Sequence, residues 1–551
     1  MLSRRALMAS GLAPLMLPAC GAFAQTSAPS SGMTLGVQTH FSHGWHLPWM
    51  DIARSLGATT LRDGLNWSTI EKKPGEYTFD RFYVDYLEAA RRKRMDVLLT
   101  ILPNHPAYDG GQTAHTPEAM SAYANYLAAI LDRYPDVVTA IEVGNEINGQ
   151  GGMSGPAARD RARSHVALLR AVHDRIKPTH SRVAILGAST NVIGIGFQEQ
   201  IFAAGGLEVM DGVAVHPYRA YAEHVDVELA ALTAAMKRHG RPVPIYATEF
   251  SDSFKTAEMA APHLLKMAVL MAASGVARAY WYAIQEERAF PNMGLFTQRQ
   301  ARKPGADAFE FVEKTLIPLG DPVRVETDGL SFVYRYGDKA VVLWGAPRAI
   351  SVSGRVQAHD ARGRPCALPT RLGDDPVILV GPAEVVLGEP DWLADSFYQF
   401  GQAPWSYFAE DKAGVKHPLD WVNWEWTSYI GDRRFRPMSF TPKAVAPKGD
   451  AARPVGAVLR YTFPEVRRIR ASIEIHHGGR SGDGVDVTVR HGDRILDAFP
   501  LSAATRTLTF DVDGLAGDAL ELMIGPHATA GGDTVGYRMT ILDPMRPPSL
   551  V

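Results

Sequence analysis

Two glutamates close apolar runs where a carboxylate has no structural reason to be. Glu146 stands in "AIEVGNEINGQ", residues 140 to 150, and Glu249 in "VPIYATEFS". Two carboxylates aimed at one atom can divide labour: one protonates a leaving oxygen while the other attacks the carbon it leaves. Cleavage of a glycosidic bond needs such a pair. Around them other polar residues end other apolar runs: His40, Arg62, Asn104 with His105, Asn145, His216 with Tyr218, and Trp281. Any single one reads as an ordinary polar strand end. All of them together read as one rim. Glu249 taken alone reads as a strand-terminal acid paired with Arg62.

The elements that would build this rim follow from periodicity. Strand-like runs begin at "MTLGVQTHF" (33 to 41) and continue with "TTLRDGLNW", "MDVLLTILPNH", "VVTAIEVGNE", "RVAILGAST", "MDGVAVHPY", "VPIYATEFS" and "ARAYWYAIQ". Helical spacing separates them, as in "DRFYVDYLEAARRKR" and "TPEAMSAYANYLAAILDRY", the latter opened by Thr116-Pro117. Eight strands alternating with eight helices over about 290 residues predict an α/β fold, a (β/α)8 TIM barrel, with its site at the C-terminal strand ends. Near-continuous apolar strands fit a parallel sheet covered on both faces. A doubly wound nucleotide-binding sheet is disfavoured, because "GVQTHFSHGWH" stands where a glycine-rich phosphate loop would follow the first strand.

The chain has 551 residues, too many for one ordinary core. Past about residue 320 the pattern shifts to a period of two with Gly/Asp turns, which predicts all-β domains: a β-sandwich over 319–389 and a jelly-roll-like domain over 390–551. The barrel is assigned to 34–318. Trp405, Tyr407, Trp421, Trp424 and Trp426 are read either as a sugar-stacking face or as sandwich core, with "WVNWEWTSY" taken as an alternating strand. "HHGG" (476 to 479) reads as a surface turn.

Composition narrows the partners. A net charge of -2 with 21% charged residues gives no basic excess for nucleic acid and no basic run for an acidic membrane. Residues 1–24, with Arg4-Arg5, a weakly apolar stretch and "AFA", read as a twin-arginine-like export signal rather than a transmembrane segment. Residues 25–33 follow as a linker. The expected location is periplasmic or secreted. "LPAC" offers the competing reading of a lipid anchor at Cys20. Cys366 is the one other cysteine, so processing would leave no intrachain disulfide. Three histidines in "HFSHGWH" invite a metal, but Gly44 argues against a helix and no fourth ligand is evident. No cofactor and no metal is assigned.

The residues "GNEIN", "VHPY", "ATEFS" and "AYWYAIQ", with "LRDGLNWSTIEKKPGEYTFDRFYVDYLEAARRKRMDVLLTI" and "MGLFTQRQARKPGADAF", resemble glycoside hydrolase clan A over about residues 34 to 318. The opening "GVQTHF" and the spacing are similar to family 39, especially its bacterial exopolysaccharide-hydrolase branch, with family 5 second through His-Pro-Tyr. The resemblance implies a retaining β-glycosidase acting on a polysaccharide, with Glu146 as general acid/base and Glu249 as nucleophile. Arg62 and Tyr218 should keep Glu249 ionised. Glu146, expected to lack an equally close cation, should hold its proton. Asn145 would bind the sugar 2-hydroxyl, Trp281 would floor the ring, and His105 and His216 would line the substrate. A non-catalytic glycan-binding scaffold and a transglycosylase on the same site are the alternatives.

Overall fold

The computed structural model describes residues 32–478 and 482–545. The export signal, Cys20, all but the end of the linker and the final "RPPSLV" lie outside the described residues.

Eight parallel strands close into a barrel: β1 (Thr34–Gln38), β2 (Thr60–Gly64), β3 (Asp96–Ile101), β4 (Val138–Val143), β5 (Ala184–Asn191), β6 (Gly212–His216), β7 (Ile245–Phe250) and β8 (Val276–Trp281). Each pairs with its sequence neighbours, and β1 pairs with β8 to complete the ring. The intervening helices are α1 (Pro48–Ser55), α2 (Arg81–Lys93), α3 (Pro117–Arg133), α4 (Arg161–Ile176), α5 (Ile195–Ala203), α6 (Val225–Arg238), α7 (Ala260–Ala273) and α8 (Pro304–Phe311). The anticipated Thr116-Pro117 start of α3 is realised as an N-cap. Thr116 Oγ1 accepts from the Ala119 amide, and Pro117 occupies a position that has no intrahelical N–H partner to lose.

Antiparallel sheets follow the barrel, as the change of sequence period implies. A six-stranded and a three-stranded sheet, spanning Val323 to Pro390, share a core of Val333, Val341, Leu343, Ile350 and Leu379. From Trp392 onward an eight-stranded and a second six-stranded sheet enclose a second core that includes Trp405, Tyr407, Phe440, Tyr461, Ile473 and Ile541. The other face of the first six-stranded sheet, with Phe332, Tyr334 and Trp344, joins the barrel core. This covering explains why α7 is apolar around most of its circumference. Its one lysine, Lys266, is buried and paired with Glu223 at 2.9 Å and Asp374 at 3.0 Å.

Three sequence expectations are corrected in the tail. "WVNWEWTSY" is not one strand: Asp420–Val422 and Tyr429–Gly431 form a hairpin, and residues 423–428 are its loop. The tail aromatics therefore do not share one face. Trp405 and Tyr407 lie in the core, whereas Trp426 stands exposed at the loop. His476 and His477 end the long strand Arg467–His477, and His477 is buried against Asp533 at 3.1 Å. Gly479 lies outside the described residues.

Candidate active site

The inward face of each barrel strand carries residues two apart, so one inward layer lies above another along the axis. The lower layer is apolar, with Leu98, Ala140, Leu186, Ala214 and Tyr280 packed together. One pleat higher Thr100, Glu142 and His216 follow on β3, β4 and β6, and Arg62 joins them from β2. Glu142 is the hub. Its carboxylate accepts from Arg62 Nε (2.8 Å), Thr100 Oγ1 (2.6 Å), Ser189 Oγ (2.6 Å) and Thr248 Oγ1 (2.9 Å), with no solvent exposure. Burial alone would raise its pKa. The Arg62 charge, and after it His216, outweigh burial and hold it well below the usual carboxylate range.

Two bulges bring extra side chains into this layer. On β5 the four residues Gly187 to Thr190 oppose three on β6, Val213 to Val215, and Ala188 and Ser189 take positive φ. On β7 the register against β8 slips between Ala247 and Phe250. The slip lets consecutive residues, Thr248 and Glu249, both reach inward, which plain alternation forbids.

Glu249 is almost fully buried. Arg62 Nη1 donates to its Oε1, and the Tyr218 hydroxyl donates to its Oε2 at 2.6 Å. Burial opposes its charge, but His216 and Arg62 overcome that and lower its pKa. The expected Arg62 and Tyr218 contacts are both present.

Glu146 sits beyond the end of β4, in a turn where Gly144 has φ 81° and Glu146 itself φ 47°. A non-glycine residue in the left-handed region is strained and needs surrounding contacts to hold it. The Gly149 amide donates to Glu146 O at 2.8 Å, and Ile147 N donates to Ser189 O at 3.0 Å. A side chain at Gly152 would strike Glu146 O at 2.1 Å, so only glycine permits this fold-back. On the carboxylate, Asn191 Nδ2 donates to Oε1 at 2.7 Å, and His216 Nδ1 lies 3.1 Å from the same oxygen.

His216 corrects the expectation that Glu146 lacks a nearby cation. Burial pushes its pKa down. The Glu249 charge and its contacts with Glu142 and Glu146 prevail and raise it to about 9. Its Nδ1 is 3.6 Å from Glu249 Oε2, and its Nε2 is 3.4 Å from Glu142 Oε1, off the line of a good hydrogen bond. The imidazolium is therefore shared among three carboxylates. It lies beneath the cavity rather than against a ligand. A carboxylate oxygen from Glu146, one from Glu249 and a His216 ring nitrogen lie within 4.8 Å of one another. Three such donors could hold a cation, but a protonated imidazole has no lone pair to give.

The site opens into a cavity of about 730 Å³ lined by Gln38, His40, Asn104, Asn145, Glu146, Asn191, Tyr218, Glu249, Tyr282 and Phe290 among others. That volume suits a small organic ligand or a short segment of a longer one. Asn145 lines it, and its Oδ1 accepts from Arg62 Nη2 at 2.9 Å, which leaves its amide Nδ2 free to donate to a ligand. His40 lines the mouth with Nε2 3.2 Å from the Tyr282 hydroxyl. Burial and then His43 lower its pKa to about 4, so it is neutral at ordinary pH.

Two sequence-assigned residues are elsewhere. Trp281 is 0% exposed: Tyr280 points into the barrel, so alternation turns Trp281 outward onto Phe250, Phe254 and His263 of the covering elements. Its Nε1 donates to Met293 O at 3.0 Å, and the aromatic in the cavity is the next residue, Tyr282. His105 is buried beneath the rim, its Nε2 donating to Glu71 O at 2.6 Å and its ring against Trp67. Asn104 faces the cavity instead. Sequence reasoning missed Glu142, Asn191, Gln38 and Tyr282. A carboxylate inside the apolar run "AIEV" was the one available signal for Glu142.

No family model and no curated protein matches the chain. Among solved structures, a family 39 glycoside hydrolase from the gut symbiont Bacteroides cellulosilyticus WH2 is similar over 64% of this chain and 81% of its own, with a TM-score of 0.53 and 18% identity. A GH39 β-xylosidase from Caulobacter crescentus matches over 65% of this chain and 98% of its own, with a TM-score of 0.46 and 16% identity. The first shares the barrel fold with this chain.

Proposed function

We propose that the protein is a retaining β-glycosidase in which Glu249 is the nucleophile and Glu146 the general acid/base. The observation that carries this reading is the approach of the two carboxylates to within 4.8 Å at the base of the cavity. Retaining enzymes hold their carboxyl groups about 5 Å apart, and inverting ones leave about 6.5–9.5 Å for a water. The fold shared with a family 39 glycoside hydrolase and the resemblance of "GNEIN" and "ATEFS" to that clan support the same class.

The division of roles follows from hydrogen-bond direction. Glu249 accepts on both oxygens from Arg62 and Tyr218, so it stays an anion able to attack an anomeric carbon. Among the described residues both hydrogen bonds to the Glu146 carboxyl group end on Oε1, which marks that oxygen as the acceptor and Oε2 as the one to carry the acid proton. In the first step Glu249 forms a bond to the anomeric carbon while Glu146 gives its proton to the departing oxygen. In the second, Glu146 takes a proton from water, the water oxygen bonds to carbon, and Glu249 is released.

The cleaved unit is read as an uncharged sugar. Among the described residues Arg62 is the one guanidinium and no lysine lines the cavity, and the Arg62 nitrogens are taken by Glu142, Gln38, Glu249 and Asn145. The polysaccharide substrate is read as a bacterial exopolysaccharide from the resemblance to that branch of family 39, and the export-signal reading of residues 1–24 puts the encounter outside the cytoplasm.

Glu249→Ala and Glu146→Ala should each lower turnover of activated aryl β-glycosides by at least about 10³-fold with the fold retained. Azide added to Glu146→Ala should yield a glycosyl azide of unchanged anomeric configuration. An inverted azide, or substantial turnover in either variant, rejects the assignment.

A further inference from the structure

The hairpin loop 423–428 of the last β domain reaches back to the rim of the barrel beside Glu146. Gly196, in the first turn of α5, donates its amide to Trp424 O at 2.8 Å, so the loop satisfies a helix-terminal N–H that the helix cannot bond itself. Gln200 Nε2 donates to Glu425 Oε1 at 3.0 Å. Asn148 Nδ2 donates to Glu425 O at 3.3 Å and also to Asn191 O, while Asn148 Oδ1 accepts from the Asn191 amide at 2.9 Å. Asn191 is the residue whose side chain holds Glu146. The barrel makes room for this approach. A side chain at Gly196 would meet the Trp424 backbone at 2.7 Å, and one at Gly194 would meet Glu425 O at 2.9 Å.

The loop thus holds Trp426 in place without burying it. Its ring edge, at Cη2, lies 3.7 Å from where a side chain would start at Gly149, in the turn that follows Glu146, yet the residue remains 37% exposed. A large aromatic fixed beside a cleft and left open is the arrangement that stacks on the flat apolar face of a sugar. Arg436 caps the neighbouring Trp424 at 3.9 Å, so Trp426 is the ring left for a ligand.

We propose that Trp426 forms a sugar-binding subsite outside the catalytic cavity, on the side where Glu146 meets the departing part of the chain. This inference rests on the glycosidase reading for its direction. The last β domain then supplies part of the active cleft, and longer substrates engage a residue that short ones never touch.

The test separates binding from turnover. The full chain and Trp426→Ala are titrated by calorimetry with methyl β-glycosides and with β-1,4-linked xylotetraose, cellotetraose and mannotetraose. Trp426→Ala should bind the preferred tetrasaccharide about tenfold more weakly, with the monosaccharide affinity changed by far less, and Trp426→Phe should recover part of the loss. This result supports the subsite even if no glycoside is turned over, an outcome that would remove the catalytic reading alone. Equal weakening for both ligand lengths, unchanged tetrasaccharide binding, or no tetrasaccharide binding to the full chain overturns the subsite, whatever the aryl glycoside kinetics show. Melting temperatures of both variants check that the exposed ring was not holding the fold.

Discussion

Two layers inside one barrel, a single pleat apart, do opposite work. On β3 Leu98 lies below Thr100, on β4 Ala140 below Glu142, and on β6 Ala214 below His216. The lower layer is a small apolar cluster that also seats Tyr280, whose hydroxyl bonds Thr60 at 3.0 Å. The upper layer is ionic and hydrogen-bonded almost throughout. The lower layer is stable because water is excluded from apolar surface, and it tolerates substitutions that preserve volume. The upper is stable only while every charge keeps its partner. The contrast teaches that the site is built where the fold has least tolerance, on a floor whose polar demand is small, the Tyr280 hydroxyl being held by Thr60.

The largest break in that comparison should come at Glu142. Glu142→Gln removes one of the two carboxylates paired with buried Arg62, leaving Glu249, and should destabilise the protein by about 1.5–3 kcal/mol. Leu98→Ala in the lower layer should cost a similar amount, about 2–5 kcal/mol, by leaving a cavity. The two should part in activity. Turnover per folded molecule should collapse for Glu142→Gln, because Arg62 and His216 both lose an anchor, and should persist for Leu98→Ala. Denaturant unfolding with aryl glycoside kinetics on the folded fraction distinguishes them. Matching losses of turnover would mean the layers are not independent.

A pH dependence sharpens the contrast next. His216 has a folded-state pKa of about 9 against an ordinary 6.5, so folding tightens its hold on a proton. Its stabilising contribution is complete below pH 6.5 and disappears as pH rises through 9. The shift corresponds to on the order of 3 kcal/mol. Unfolding measured from pH 6 to 10 should show a decline that His216→Asn lacks. A decline of the same size in that variant would place its origin elsewhere.

The sequence shows most of this fold and only part of this site, for one physical reason. Hydrophobic periodicity reports which residues are buried, and the eight strands, their helices and the change to antiparallel sheets all follow from it. Strand ends could be read off as a rim, which places Glu146, Glu249, Arg62, Asn145 and Tyr218 around one cavity. Facing is harder to read. Trp281 turns outward because Tyr280 turns in, and one residue of register decides between core and cleft. The bulges on β5 and β7 leave no mark in the periodicity, so Asn191 and the paired inward facing of Thr248 and Glu249 could not be anticipated. Nor does local pattern say that a loop some 230 residues beyond Asn191 docks beside it.

Asn191 gives the smallest effect and the finest test of how the upper layer works. Its Nδ2 is one of two donors on Glu146 Oε1, and the other, His216, divides its charge among three carboxylates. Asn191 acts on no substrate atom in this scheme. On the proposed mechanism it orients Glu146 and fixes which oxygen carries the proton. Removing one hydrogen bond to a group of this kind is worth about 1.5–3 kcal/mol where the acceptor is charged and about 1 kcal/mol where it is neutral. Asn191→Ala should therefore lower kcat/KM, which reports the first step alone, about tenfold on substrates whose leaving group needs protonation. It should have far less effect on a dinitrophenyl glycoside, whose leaving group departs without a proton. A merely structural role for Asn191 would lower both rates alike. The ratio between the two substrates, rather than either rate alone, decides whether the upper layer aims its acid or simply holds it.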